Sequence, residues 1–199
     1  MVKRLLVLSM LLCISGASGD EAPAINFGPH PRLAYTAEEL AAWKKDPERR
    51  KEIERIVRRA ETLLQKPLYV PKKGGQWIFY YSCPKHNRSL KPLSLTEHIC
   101  PACKRKYTDE RTVAAYRTKL QNDLNRNCYQ LALAYALTGE DRFAAPVRKA
   151  LLELVKLYPT YERHDRWGRT GVLAVVGGRR YCQHLSEAVG AIELAKAWD

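Results

Sequence analysis

The sequence predicts a mainly helical protein of successive helical hairpins, interrupted by one short β-type insertion. Three observations carry this. Apolar residues recur at helical spacing in four separate stretches, each with polar residues on the other face. Capping residues, glycine and proline punctuate those stretches where helices start and stop. Residues 68–107 lose the helical period and gather turn residues with paired cysteines and histidines.

Thr36 is a good N-cap, with Glu39 three residues later as its capping-box partner. Leu40 and Trp43 give that short helix an apolar side. Asp46-Pro47 reads as a second N-cap followed by proline at the first helical position. Ile53, Ile56, Val57, Ala60, Leu63 and Leu64 then form an apolar face opposite Arg49, Arg50, Lys51, Arg55, Arg58 and Arg59. Such a basic face can contact polyanions, although charge runs are more often solvated. Pro67 stops the helix.

In the insertion, Pro71 and Gly74-Gly75 are turn residues, and Trp77-Ile78-Phe79-Tyr80-Tyr81 reads as a β-type run. From Asp109 the helical period returns through Tyr116, Leu120, Leu124, Cys128, Leu131 and Tyr135. Thr138-Gly139 closes it, glycine suiting the left-handed C-terminal cap. Asp141 is expected to cap the next helix, which carries Phe143, Val147, Leu151, Leu154 and Leu157. Pro146 either sits in a delayed first turn or kinks that helix, and Pro159 ends it. Residues 160–180 are irregular. A last helix starts near Gln183 with Leu185, Ala188, Val189, Ile192 and Ala195 on one side. It meets Asp199 without a stop residue, which reads as a chain cut inside an amphipathic helix. Without a hairpin partner, its apolar face is expected to lie exposed.

The first residues read as a signal peptide, residues 1–19. Lys3 and Arg4 precede an apolar run over residues 5–14, and Ala17-Ser18-Gly19 places small residues before a cleavage at Asp20. The run is too short to span a bilayer, an uncleaved anchor being the alternative. No later stretch is apolar enough for a membrane helix. The expected location is secreted or periplasmic, with no membrane contact after cleavage. About 180 residues then remain, enough for a domain with a real core.

Lys and Arg number 34 against 21 Asp and Glu, a formal charge of +13. An exported protein this basic attracts polyanions, unless the charge merely keeps it soluble. Acidic polysaccharide is the expected partner. Export argues against nucleic acid, even though charge and metal knuckles would fit a nucleic-acid-binding ribbon.

The most specific motif is Cys83-Pro84-Lys85-His86 followed by His98-Ile99-Cys100-Pro101-Ala102-Cys103. Two ligand–x–x–ligand knuckles across a short loop form a zinc-ribbon pattern. Cys83, His86, Cys100 and Cys103 are the candidate ligands of a structural zinc ion, with His98 the alternative to His86. Four ligands with no open position make a structural site. A disulfide, favoured by export, or free thiols are the alternatives. Arg179-Arg180, beside Gly177-Gly178, is a candidate substrate-binding pair, because guanidinium grips carboxylate or sulfate bidentately. A simple loop is its alternative. His164, His184, Tyr161, Tyr181, Glu187 and Glu193 show no diagnostic spacing. No catalytic residue is assigned.

Several segments, in order, resemble the heparinase II/III-like (alginate-lyase-like) polysaccharide lyases. They are His30-Pro31-Arg32-Leu33 before the capped Thr36 helix, and the cysteine segment ending at Cys103 with Tyr107. Leu131 to Gly139 followed by Phe143-Ala144, then Tyr158-Pro159 with Tyr161 and His164, continue the order. Leu185-Ser186-Glu187-Ala188 leading to Leu194 and Trp198-Asp199 completes it. Lys104 departs where glycine is frequent, Trp198 where tyrosine is usual, and Pro146 where proline is rare.

The resemblance implies an incomplete (α/α) toroid, with a β-sandwich following it in full-length members. It also implies β-elimination on uronate-containing polysaccharide. In that reaction the uronate carboxylate is neutralised, a Tyr or His removes the C5 proton, and the leaving oxygen is protonated. The asparagine, histidine and tyrosine for these tasks lie, by the resemblance, beyond the helix at which this chain stops. The chain alone is therefore expected to be inactive. The organisation implied is a leader (1–19), an N-terminal helical segment (20–67), a zinc-ribbon-like insertion (68–107) and toroid hairpins (108–199). The alternative is a non-catalytic, zinc-stabilised helical module that binds acidic glycans.

Overall fold

The computed structural model describes residues 29–199; the expected leader and the stretch up to Gly28 lie outside the described residues. The fold is mostly helical with a small antiparallel sheet segment. Among the described residues no helix is long and apolar enough to cross a membrane.

Helix α1 (Ala37–Lys45) starts with the expected capping box: Glu39 N–H donates to Thr36 Oγ1 and Thr36 N–H to the Glu39 carboxylate. Asp46 accepts the Glu48 N–H at 2.9 Å, and Pro47 opens a single 3-10 turn into α2 (Arg50–Leu64). Helix α2 packs Ile56, Val57, Ala60, Leu63 and Leu64 on the main core and leaves Arg55, Arg58 and Arg59 exposed.

Helix α3 (Glu110–Thr138) is the 29-residue centre of the molecule, packed against α1, α2, α4 and α5. Asp109 caps it, accepting the Thr112 N–H and hydroxyl at 3.0 and 2.8 Å. Gly139 closes it at φ 74°, a conformation glycine adopts without steric cost. Neighbours on several sides bury more of α3 than one stripe. Thr118, Gln121 and Asn125 lie inside, while Tyr135, counted on the apolar stripe, is exposed.

Helix α4 (Asp141–Leu157) buries Phe143, Val147, Ala150 and Leu154 and runs on through Pro146. Asp141 does not cap it but is its first residue. The Glu140 carboxylate at the cap position is drawn to Arg142 at 2.7 Å and makes no bond to the helix amides.

Helix α5 (His184–Trp198) buries Gly190 and Ala197, leaving Leu185 at 77%, Val189 at 53% and Ile192 at 54% exposure. This is the unpartnered apolar face the sequence predicts. At its end Asp199 reaches back to the start of the described chain. Its carboxylate accepts the Arg32 and Leu33 N–H groups, each at 2.6 Å, and contacts the His30 ring.

The insertion holds two small sheets. β1 (Ser82–Cys83) pairs with β2 (Arg88–Ser89), and β4 (His98–Ile99) lies between β3 (Lys91–Pro92) and β5 (Lys106–Tyr107), all antiparallel. Pro92 is tolerated because β3 is an edge strand. The β-type run expected at residues 77–81 is instead a 3-10 turn, Ile78–Tyr80. The Trp77 ring meets both Phe79 and Tyr80 edge-on, at 5.0 and 5.5 Å, a gathering that alternating strand faces would not permit.

Residues 74–76 thread between α3 and the irregular segment. Gly75 N–H donates to the Arg180 carbonyl at 2.8 Å and Gln76 N–H to the Ala114 carbonyl at 2.9 Å. The Thr118 hydroxyl donates to the Gln76 carbonyl at 2.6 Å and Arg117 Nε to the Gly74 carbonyl at 2.9 Å. A Cβ on Gly75 would lie 2.2 Å from Thr118 Oγ1 and 2.6 Å from the Thr118 nitrogen, so only glycine passes. Gly75→Ala should therefore destabilise the protein by about 1–3 kcal/mol, the usual cost of overpacking. Urea unfolding checks this, and an unchanged midpoint would contradict it.

Candidate metal centre

Two knuckles built alike form the site. In the first, Asn87 N–H donates to the Cys83 carbonyl at 2.8 Å; in the second, Lys104 N–H donates to the Cys100 carbonyl at 3.0 Å. Each turn is completed by a residue with positive φ just after the second ligand, Asn87 at 46° and Lys104 at 61°. Lys104 thus takes the left-handed conformation for which glycine is the usual choice.

The knuckles bring Cys83, His86, Cys100 and Cys103 together, with all four ligand atoms within 4.8 Å of one another. His86 Nδ1 lies 3.4 Å from Cys83 Sγ and 3.8 Å from Cys100 Sγ. Cys83 and Cys103 sulfurs are 4.0 Å apart, about twice a disulfide bond length. All five described cysteines are free thiols. The quartet can hold a metal ion. Tyr107 donates its hydroxyl to Cys83 Sγ at 3.2 Å. That hydrogen bond, helped by His86 and working against desolvation, brings the Cys83 thiol down to about 5. The thiolate is the form that ligates metal. Cys128 and Cys182 are buried elsewhere, and desolvation pushes both up to about 11.

His98, the alternative ligand, lies outside the quartet. It is fully buried, with Nδ1 3.0 Å from the Tyr81 hydroxyl and its ring 4.7 Å from that of Tyr116. Tyr81, Tyr116 and Ala115 join Cys83 and Cys100 in a small core beneath the knuckles, so the site sits on the first turns of α3.

Of the arginine pair, Arg180 is turned inward and Arg179 is half-exposed. Arg180 is 4% exposed; its guanidinium donates to Gln121 Oε1 at 2.7 and 3.0 Å and to Asn125 Oδ1 at 2.9 Å. Arg179 donates to the carbonyls of Pro159 and Tyr161. The Arg180 contacts hold the irregular segment to α3 and leave that guanidinium no open carboxylate grip, whereas the half-exposed Arg179 is bonded to the residues just after α4. Glu187 likewise accepts the Arg180 and Tyr181 N–H groups, and His164 places its ring nitrogens 2.9 and 2.6 Å from the Glu162 and Gly75 carbonyls. The Tyr161 hydroxyl donates to the Pro71 carbonyl.

Sequence reasoning missed a cleft of about 550 Å³ beside residues 74–76, lined by Lys72, Lys73, Arg111, Arg117 and Arg166 among others. These residues are scattered along the chain and carry no spacing signature. No family model matches the chain, and no curated protein matches it.

With zinc as the probe ion, the chain should bind about one ion per molecule and melt at a higher temperature when loaded. Cys100→Ala and His86→Ala should each abolish that binding, whereas His98→Gln should still bind the ion. Loss of binding in His98→Gln, with His86→Ala still binding, would reverse the ligand assignment.

Proposed function

We propose that this chain is the N-terminal portion of an exported polysaccharide lyase of the heparinase II/III-like kind, which holds acidic polysaccharide and is inactive by itself. The observation that carries the reading is the Asp199 clasp. The two ends of the resemblance, His30-Pro31-Arg32-Leu33 and Trp198-Asp199, are far apart in sequence. They are joined by hydrogen bonds from Arg32 and Leu33 to one carboxylate. Such a joint explains why both motifs occur in one chain. On this reading α3, α4 and α5 begin an (α/α) toroid whose next hairpin covers the exposed face of α5.

The metal is zinc in this proposal, and the insertion is a zinc ribbon. Three sulfurs and one imidazole suit that ion. Tetrahedral zinc bonds imply about 3.8 Å between sulfurs and about 3.5 Å between sulfur and nitrogen. The contacts of 4.0, 3.4 and 3.8 Å lie near those edges. With all four positions taken by protein, the ion stabilises the insertion and takes no part in chemistry.

The test is release of unsaturated uronate, followed by ultraviolet absorbance, from alginate and heparin-like substrates. The longest open frame containing this chain should release product, and the 199-residue chain should not. Product from the 199 residues alone would overturn the assignment of chemistry elsewhere. Absence of product from the longer frame would leave the non-catalytic glycan-binding module as the better account.

A further inference from the structure

We infer that the cleft beside residues 74–76 is an anionic-sugar subsite in which Lys72, Lys73 and Arg111 take the carboxylate or sulfate of one saccharide unit. The inference rests on the acidic-glycan reading above and replaces Arg179 and Arg180 as the residues that would meet the ligand.

Three features support it. First, the guanidiniums of the cleft are arranged before any ligand arrives. Arg117 is fixed by the Gly74 carbonyl and Glu110, Arg111 lies 4.7 Å from the Tyr80 ring centroid, and Arg166 packs on Trp77 and Trp167. Ordered guanidiniums lose less entropy on binding. Lys72 and Lys73 are exposed, and no ion pair engages either among the described residues.

Second, the lining mixes cations with acceptors and hydroxyls: Glu162, Thr160 and Thr170 face the same space. A sugar hydroxyl can donate to the Glu162 carboxylate and accept from a threonine, whereas a phosphodiester group offers only acceptors and has no hydroxyl to give that carboxylate. The volume of about 550 Å³ lies in the range of small-ligand clefts.

Third, guanidiniums already lie within 5.3 Å of the ring centroids of Trp77, Tyr80 and Trp167. Single-stranded nucleic acid is held largely by stacking of bases on free aromatic faces. The row Arg55, Arg58 and Arg59 on α2 carries comparable charge on an exposed helix face.

The experiment is titration of the zinc-loaded chain, followed by calorimetry at low salt. The probes are a polyuronate tetrasaccharide, a sulfated tetrasaccharide and a single-stranded DNA of equal charge. Binding of either saccharide should weaken about tenfold in the Lys72→Ala/Lys73→Ala double variant and in Arg111→Ala, as expected for lost charge-assisted hydrogen bonds. Arg55→Ala/Arg58→Ala removes the same charge as the double variant and should leave affinity nearly unchanged. Equal weakening by that control would reduce the effect to net charge and overturn the subsite. Saccharide binding that ignores the cleft variants would also overturn it while sparing the glycan reading. No saccharide binding by the unmodified chain would sink both. Tighter DNA binding, lost in the same variants, would reassign the cleft to nucleic acid.

Discussion

The passage of residues 74–76 between α3 and the segment carrying His164 and Arg180 is the constraint on which the rest of the structure depends. In three residues the chain makes backbone or carbonyl bonds to Ala114, Arg117, Thr118, His164 and Arg180. The Gln76 side chain adds a bond to the Asp165 carbonyl at 3.1 Å. An extended segment has no internal hydrogen bonds, so its polar groups must find such partners when buried. Here they find them on a helix and a loop distant in sequence, and the three segments become one body. The lining of the cleft comes from these same segments, so the threading also sets the cleft's shape.

A metal ion held by the Cys83, His86, Cys100 and Cys103 quartet would do a related task for the rest of the insertion. Five two-residue strands bury too little apolar surface to stand alone, a shortfall that metal bonds commonly make up in small modules. The small core under the knuckles borrows Ala115 and Tyr116 from α3. The helix therefore supports the site from below while residues 74–76 hold it from the side. At the far end of the molecule the Asp199 carboxylate closes residues 30–33 against α5. His30 and two backbone N–H groups keep that carboxyl below its usual range, against the desolvation that would raise it.

Much of this was legible in the sequence, where the information is local. The Thr36–Glu39 capping box, the Gly139 cap and the two knuckles each depend on residues within a few positions of one another. So do the apolar faces of α2 and α4. What escaped is non-local. Gln121 and Asn125 are polar and stand off the apolar stripe of α3, yet they face Arg180 from a loop more than fifty residues later. Arg180 read as a ligand-gripping residue because arginine next to glycine looks the same whether the glycines admit a ligand or the chain itself. Trp77 to Tyr81 read as a strand from composition alone, although mutual ring packing turned it. Lys72, Lys73, Arg111 and Arg166 meet only because residues 74–76 bring their segments together.

Titrating an isotopically labelled, zinc-loaded sample with a polyuronate tetrasaccharide and following backbone amide shifts tests the account most directly. The shifts should concentrate at Lys72, Lys73, Gly74, Arg111, Arg166 and Gly168, with residues 49–59 of the α2 region silent. Shifts centred on α2, or on Arg179 with the cleft silent, would contradict the claim that the threaded segment builds the anion-binding face of this protein.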